Sequence, residues 1–215
     1  MGRTAVFGGS FNPIHFGHLV IADEMLEQLA LERVLFVPAA SPPHKPAGSL
    51  APAEDRCEMV RLAVAGRAHF EVSDIELRRR GPSFTVDTLE ALHRASEELI
   101  LLVGSETFLD LLSWRQPRRI VELARLVVVP RTGSTFDPES TAAQKVLREI
   151  GAERFASSPD AVAPRTVVVL HATSLPISSS ELRARSRQGR SLAYRTPDAV
   201  IAYIQRRRLY AAAEP

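Results

Sequence analysis

Two histidines three positions apart, His15 and His18, follow a glycine pair in the run Gly8-Gly9-Ser10-Phe11-Asn12-Pro13-Ile14-His15-Phe16-Gly17-His18. The run sits between a short apolar stretch, Thr4–Phe7, and a segment of three-to-four periodicity, so it reads as strand, glycine turn and helix start. Side chains three apart on a helix project on the same side. Gly8 and Gly9 let backbone approach a ligand closely, and the free N–H groups of a helix start attract anions. Imidazole donors at that point suit an anion that gains charge during a reaction, and a phosphate in transfer fits. The run is neither GxxxxGK[ST] nor GxGxxG. Gly8-Gly9 alone reads as a tight turn, and either histidine alone as a cap or packed side chain. The combination, directly after the first strand, carries the chemical reading.

Other segments add donors. Pro42-Pro43-His44-Lys45 is a proline-stiffened loop whose imidazole and ammonium suit phosphates, or simply an exposed polar loop. Ser83 or Thr85 fits an N-cap, with Asp87 in the favoured first turn. Ser178 and Glu181 have capping-box spacing, and a helix start with hydroxyls and the early Arg183 suits a second phosphate. No Ser-His-Asp or Cys-His set stands out, and no acidic cluster spaced as metal ligands, so magnesium is expected to arrive on a nucleotide's phosphates. The single cysteine, Cys57, excludes an internal disulfide and reads as a small core filler.

The elements that must position these groups follow a simple order. Strands are expected at Thr4–Phe7, Val34–Val37, Phe70–Val72, Leu99–Val103, Leu126–Val129 and Thr166–Leu170. Helices are expected between them at His18–Leu29, Glu54–Val64, Val86–Ala95, Ile120–Ala124 and Thr141–Ile150. Nearly uniform apolar strands alternating with helices predict a doubly wound α/β fold around a parallel sheet, with ligands outside the carboxyl ends of the strands. Pro38–Pro52, the surroundings of Arg131–Pro138, and Ala156–Arg165 read as loops. Two short helices, Ser178–Arg187 and Pro197–Arg206, form a C-terminal helical appendage beyond Leu170. The 215 residues read as one domain, 1–215, large enough to bury its own core. A net charge of +2 is too small for a nucleic-acid surface, and arginine greatly outnumbers lysine. With no leader and no apolar run near ~20 residues, a cytoplasmic protein that meets no membrane is expected. The runs Arg78-Arg79-Arg80 and Arg206-Arg207-Arg208 read as solvated charge, the latter complementing a helix dipole. A homo-oligomer is compatible with all of this.

The glycine–histidine run resembles the GGxFxPxHxGH signature of the nucleotidyltransferase superfamily, related to the HIGH motif of class I aminoacyl-tRNA synthetases. The resemblance implies that His15 and His18 contact ATP phosphates and stabilise α-phosphoryl transfer, with Gly8, Gly9, Ser10 and Phe11 lining the nucleotide path. Ser10-Phe11-Asn12 stands where Thr-Phe-Asp is common; the hydroxyl is kept, and Asn12 still suits a turn cap. The downstream segments resemble those of bacterial nicotinate-nucleotide adenylyltransferases across most of the chain. By that likeness Lys45 and His44 clamp phosphates, and Pro82-Ser83-Phe84-Thr85-Val86-Asp87-Thr88-Leu89 (family SYTxDTL) holds a pyridine nucleotide through Thr85 and Asp87. Gly104 and Glu106, where Asp is usual, lie near a ribose. Trp114 stacks on the nicotinate ring. Arg115 stands where Tyr is common, and reads either as a group that reaches the substrate carboxylate or as a solvated arginine. Arg131 lies near the adenosine. Ile177-Ser178-Ser179-Ser180-Glu181-Leu182-Arg183 (family ISSTxIR) holds ATP phosphates through Ser179, Ser180 and Arg183.

The implied activity joins AMP from ATP to nicotinate mononucleotide, with no nucleic-acid partner. Three readings compete: the same chemistry on nicotinamide mononucleotide or phosphopantetheine, a non-catalytic nucleotide-binding regulator, and a tRNA ligase. Trp114 and the SFTVDTL segment favour a pyridine nucleotide. His15, His18, Lys45 and Arg183 together exceed what a sensor needs. The short chain lacks a tRNA-binding module.

Overall fold

The structure, a computed structural model, describes residues 2–46, 48–93, 97–131 and 133–211, apart from the Glu97 side chain. Seven strands form one parallel sheet: β1 (Gly2–Gly9), β2 (Arg33–Pro38), β3 (Phe70–Val72), β4 (Glu97–Gly104), β5 (Arg125–Val129), β6 (Arg154–Ala156) and β7 (Thr166–Val169). Their order is β3-β2-β1-β4-β5-β7-β6, so the winding reverses between β1 and β4, where a ligand crevice opens in such sheets. The helices are α1 (Phe16–Gln28), α2 (Ala53–Val64), α3 (Ile75–Arg78), α4 (Thr85–Leu92), α5 (Ser105–Leu109), α6 (Pro117–Leu123), α7 (Thr141–Glu149), α8 (Ser179–Arg187) and α9 (Asp198–Arg206).

Each central strand is buried on both sides because alternate residues serve opposite faces. Ala5, Phe36, Ile100 and Val127 enter one core cluster with Met25 of α1 and Met59 and Val60 of α2. Val6, Leu35, Leu101 and Val128 enter the other with Leu89 of α4, Phe108 of α5, Ile120 of α6 and Val146 of α7. Each such side chain, once fully buried, contributes about 1.5–3 kcal/mol, which is why uniform apolar runs sufficed to locate the strands. Cys57 is fully buried, as expected of a filler, and burial pushes its thiol pKa up.

All six expected strands form, with ends shifted by one or two residues. The seventh, β6, falls between the expected helix Thr141–Ile150 and the expected loop Ala156–Arg165, overlapping the loop only at Ala156. It is a three-residue edge strand beside β7, too short to show a pattern. α3 and α5 went unanticipated for the same reason. The expected helix Val86–Ala95 runs over Thr85–Leu92; Arg94 and Ala95 lie outside the described residues, as do Ala47 and Thr132 of the expected loops.

The C-terminal helices are less separate than an appendage. Leu182 of α8 and Val200 and Ile204 of α9 are buried in the first core cluster. Nor is the arginine run at the end of α9 merely solvated. Arg207 Nε donates to Asp55 Oδ1 at 3.0 Å and Tyr203 Oη to the same oxygen at 2.7 Å, fastening α9 to α2. Arg79 departs from its expected role similarly, donating to Thr88 Oγ1 at 3.0 Å beside the start of α4, whereas Arg78 pairs with nearby Asp74.

Candidate active site

The turn after β1 is shaped by close packing. A Cβ on Gly9 would lie 3.1 Å from the Phe11 ring, and one on Gly17 would lie 3.1 Å from the His15 ring, whereas one on Gly8 would meet nothing within 4 Å. Gly9 and Gly17 thus serve the fold, and Gly8 leaves backbone open toward the crevice. Phe11 takes a left-handed φ of 45° and is buried, with its ring against Phe7, Phe36 and His18.

His15 is the N-cap of α1 rather than part of its first turn, and His18 occupies N3. Their rings still face each other, centroids 3.7 Å apart and planes tilted by 31°. The backbone N–H of His15 donates to His18 Nδ1 at 3.2 Å. Burial and the nearby Arg131 charge push the His15 pKa down to about 4. His18 is pushed well below the ordinary histidine value by burial, then by His15 and Arg131. Burial of both rings, with the Arg131 charge acting on each, disfavours either imidazolium, so both are neutral at pH 7. Since Nδ1 of His18 accepts, its proton sits on Nε2, and the ring presents a single N–H donor. His15 Nδ1 is buried with no partner among the described residues.

The loop between β1 and α1 is held by its carbonyls. Ser10 O accepts from Arg56 Nη1 at 2.8 Å, and Asn12 O from Arg183 Nη1 at 2.8 Å. Pro13 O accepts from Ser179 Oγ at 2.8 Å, and Ile14 O from Thr196 Oγ1 at 2.8 Å. Three of these four fasteners come from residues 179–196. The two distant motifs meet: Arg183 and Ser179 reach the loop that carries His15 and His18. Ser179 Oγ, however, gives its only proton to Pro13, so toward a phosphate the start of α8 offers its backbone N–H groups, the exposed Ser180 hydroxyl and the remaining N–H groups of Arg183. Ser180 Oγ accepts from Arg183 Nη2 at 3.1 Å, and Ser178 caps the helix by accepting from Glu181 N at 3.2 Å.

Asn12 does not cap its own turn. Its Oδ1 accepts from Ala51 N at 3.1 Å and from Tyr210 Oη at 2.7 Å. Burial raises the Tyr210 pKa, which keeps that hydroxyl protonated as the donor.

Along the same sheet edge, Gly104 caps α5, and Glu106 is exposed with its carboxylate curled toward Gly104. Ser105 and Ser134 hydroxyls lie 3.0 Å apart. Arg131 is exposed beyond β5, close enough for its charge to act on both histidines. Thr85 opens α4, but the N-cap is Phe84, and neither Ser83 nor Thr85 caps with its side chain. Ser83 Oγ instead accepts from Ala40 N at 3.1 Å and Ser41 N at 3.0 Å, docking the α4 start to the β2–α2 loop. Asp87, Phe84 and Arg115 meet: Arg115 Nη1 lies 3.6 Å from Asp87 Oδ2, and its guanidinium 4.9 Å from the Phe84 ring centre. Trp114 is half-buried against the second core cluster. His44 and Lys45 are exposed on the β2–α2 loop, where Lys45 N bonds Pro42 O at 3.1 Å; no side-chain contact joins them to the histidines among the described residues.

A doubly wound sheet whose switch point is flanked by neutral imidazole donors and by a second helix start defines a nucleotide-handling α/β protein. Comparison with known proteins sharpens the class. A family model described as cytidylyltransferase-like matches residues 6–185. A probable nicotinate-nucleotide adenylyltransferase of Geotalea daltonii is 43% identical, covering 97% of this chain and 98% of its own length. One of Thermus thermophilus is 42% identical, covering 97% and 99%. Among solved structures, a Plasmodium falciparum nicotinic acid mononucleotide adenylyltransferase complexed with NaAD superposes with a TM-score of 0.74 at 18% identity, covering 98% of each chain, and so shares the fold. The chain belongs to the cytidylyltransferase-like family and, within it, to the nicotinate-nucleotide adenylyltransferases.

Proposed function

We propose that this protein transfers the adenylyl group of ATP to the phosphate of nicotinate mononucleotide, releasing pyrophosphate and giving nicotinate adenine dinucleotide. The observation that carries the reading is the meeting of two motifs 171 residues apart, Arg183 Nη1 on Asn12 O, beside the neutral histidine pair. Relatives at 43% identity carry this activity in their names, and a protein of the same fold is complexed with NaAD.

The reaction is a direct in-line displacement. A phosphate oxygen of the mononucleotide forms a bond to the α-phosphorus of ATP as the α–β bridging P–O bond breaks, and its electron pair leaves with pyrophosphate. Both reactants are anions, so positioning and donors aimed at the accumulating charge supply the catalysis. His18 offers its Nε2–H, His15 lies beside it, and Arg183 and Ser180 approach from α8; Gly8, Gly9, Ser10 and Phe11 shape the nucleotide path. Lys45 and His44 join the phosphates when the β2–α2 loop closes. Gly104, Glu106 and Arg131 face the ATP side of the crevice. Thr85, Asp87, Trp114 and Arg115 form the wall for the pyridine ring and its carboxylate. Magnesium comes with the ATP phosphates and offsets their charge. The donors around the histidines are N–H and hydroxyl groups, which suit phosphate oxygens, and the ion would be held by the phosphates themselves.

The deciding assay incubates the protein with ATP, magnesium and either nicotinate or nicotinamide mononucleotide, then measures pyrophosphate. Turnover is expected with the acid and to exceed that with the amide; equal rates remove the acid preference. A chelator should stop turnover while leaving the nucleotide-free melting temperature unchanged. Arg115→Ala should raise KM for the acid about tenfold and leave the amide unaffected, since a charged hydrogen bond at this exposed position is worth at most about 1.5 kcal/mol. Equal losses for both substrates would return Arg115 to a surface role.

A further inference from the structure

Among the described residues Arg56 is the largest fully buried side chain, at 1% exposure, yet it meets no carboxylate at ion-pair distance. Its guanidinium is spread over three backbone carbonyls instead. Nε donates to Ala51 O at 2.9 Å, Nη1 to Ser10 O at 2.8 Å and Nη2 to Ala40 O at 3.2 Å. Ser10 opens the loop that carries the histidines. Ala40 and Ala51 lie near the two ends of the loop that carries His44 and Lys45. A buried cation whose nearest acidic groups, Glu54 and Glu76 among them, act only from beyond ion-pair distance is a costly way to fill space. A planar fork of fixed N–H directions is, however, the one side chain able to set three carbonyls at defined separations.

The connections extend outward from that plane. Ala51 N donates to Asn12 Oδ1 at 3.1 Å and Ala39 N to Gly9 O at 2.9 Å, adding two direct links between the loops. Ala40, held by Arg56 through its carbonyl, gives its N–H to Ser83 Oγ at 3.1 Å, which ties in the start of α4. One guanidinium therefore stands between the loop assigned to ATP, the loop assigned to phosphate clamping, and the segment assigned to the pyridine nucleotide.

We infer that Arg56 is a positioning residue, touching no substrate, that fixes the separation of the two substrate loops and so aligns the mononucleotide phosphate with the α-phosphorus of ATP. The inference rests on the adenylyltransferase reading. It has a signature that simple structural support lacks. Each loop still binds its own substrate when the brace is lost, but the reacting atoms are no longer held in line, and small misplacements are expensive in rate. Turnover should therefore fall while the affinity for each substrate alone holds.

The test uses Arg56→Lys, which keeps the charge but cannot span three carbonyls, and Arg56→Ala, which opens a site for free guanidinium ion. Folded fraction and melting temperature are measured first, then the Kd of ATP alone and of nicotinate mononucleotide alone, then kcat. The expected result is a kcat lowered about tenfold to thirtyfold in both variants, each Kd within about threefold of the parent, and partial rescue of Arg56→Ala, but not of the parent, by millimolar guanidinium. Unchanged kcat per folded molecule overturns the inference. So does a rate loss matched by lost affinity for the separate substrates, or failure of both variants to fold, which would make Arg56 a folding determinant. An unmodified protein that releases no pyrophosphate overturns the adenylyltransferase reading and this one with it; a normal parent with unaffected variants overturns this one alone.

Discussion

Replacing His18 with alanine should slow turnover by about 10²–10³-fold while KM for ATP moves little, the loss expected when one preorganised donor is removed from a charge-accumulating transition state. The expectation follows from the state of the ring. His18 is neutral at pH 7, its Nδ1 is occupied by the His15 N–H, and its one remaining proton is on Nε2 at the head of α1. A neutral donor fixed before the reaction begins gains most as charge develops on the phosphoryl oxygens. The cost to folding is small by comparison. Alanine suits a helix, and the lost bond to His15 N–H is worth about 1 kcal/mol. Single-turnover rates at saturating substrates, with melting temperatures alongside, check both parts. A variant turning over near the parental rate removes His18 from the mechanism.

The second large effect is on pH dependence. The folded protein holds His15 near a pKa of about 4, against 6.5 for an unperturbed side chain. Between those values the unfolded chain binds the proton and the folded chain does not, so stability rises with pH there. The contribution is fully present above about pH 6.5, is lost as pH falls toward 4, and declines no further below. The whole shift corresponds to ~3 kcal/mol, of which about 2 kcal/mol is gone by pH 5. His18, depressed in the same direction, steepens the slope. Denaturant midpoints at pH 7.5 and 5 should show this loss in the parent and a smaller one in His15→Gln; equal losses would place the origin elsewhere.

Features that depend on neighbouring residues were legible in advance. Strands buried on both faces announce themselves as apolar runs, and the turn after β1 announced its chemistry because glycine, histidine and helix periodicity are local signals. Ser178 could be recognised as a cap for the same reason. What escaped notice is paired across long separations. Arg56 stands on the helix stripe that continues through Met59, Val60 and Val64, and a charge on an apolar stripe was the one available hint of its role. Asp55, almost fully buried, takes its partners from α9 some 150 residues later. The Ser83 hydroxyl serves a loop more than 40 residues earlier rather than its own helix. Nothing in a local pattern encodes such choices, because they are settled by which loops the sheet order brings together.

The tie between Tyr210 and Asn12 spans 198 residues, and apart from the Ala51 N–H on Asn12 Oδ1 the side chains that hold Asn12, Pro13 and Ile14 come from beyond residue 178. The histidine turn is thus separated from these anchors by 166 to 198 residues and is among the last segments to reach its working shape. Closing so wide a loop is slow relative to local folding. A chain halted before α8 contains all seven strands of the sheet but none of these anchors, so competence for chemistry waits for α8, α9 and the turn at Tyr210.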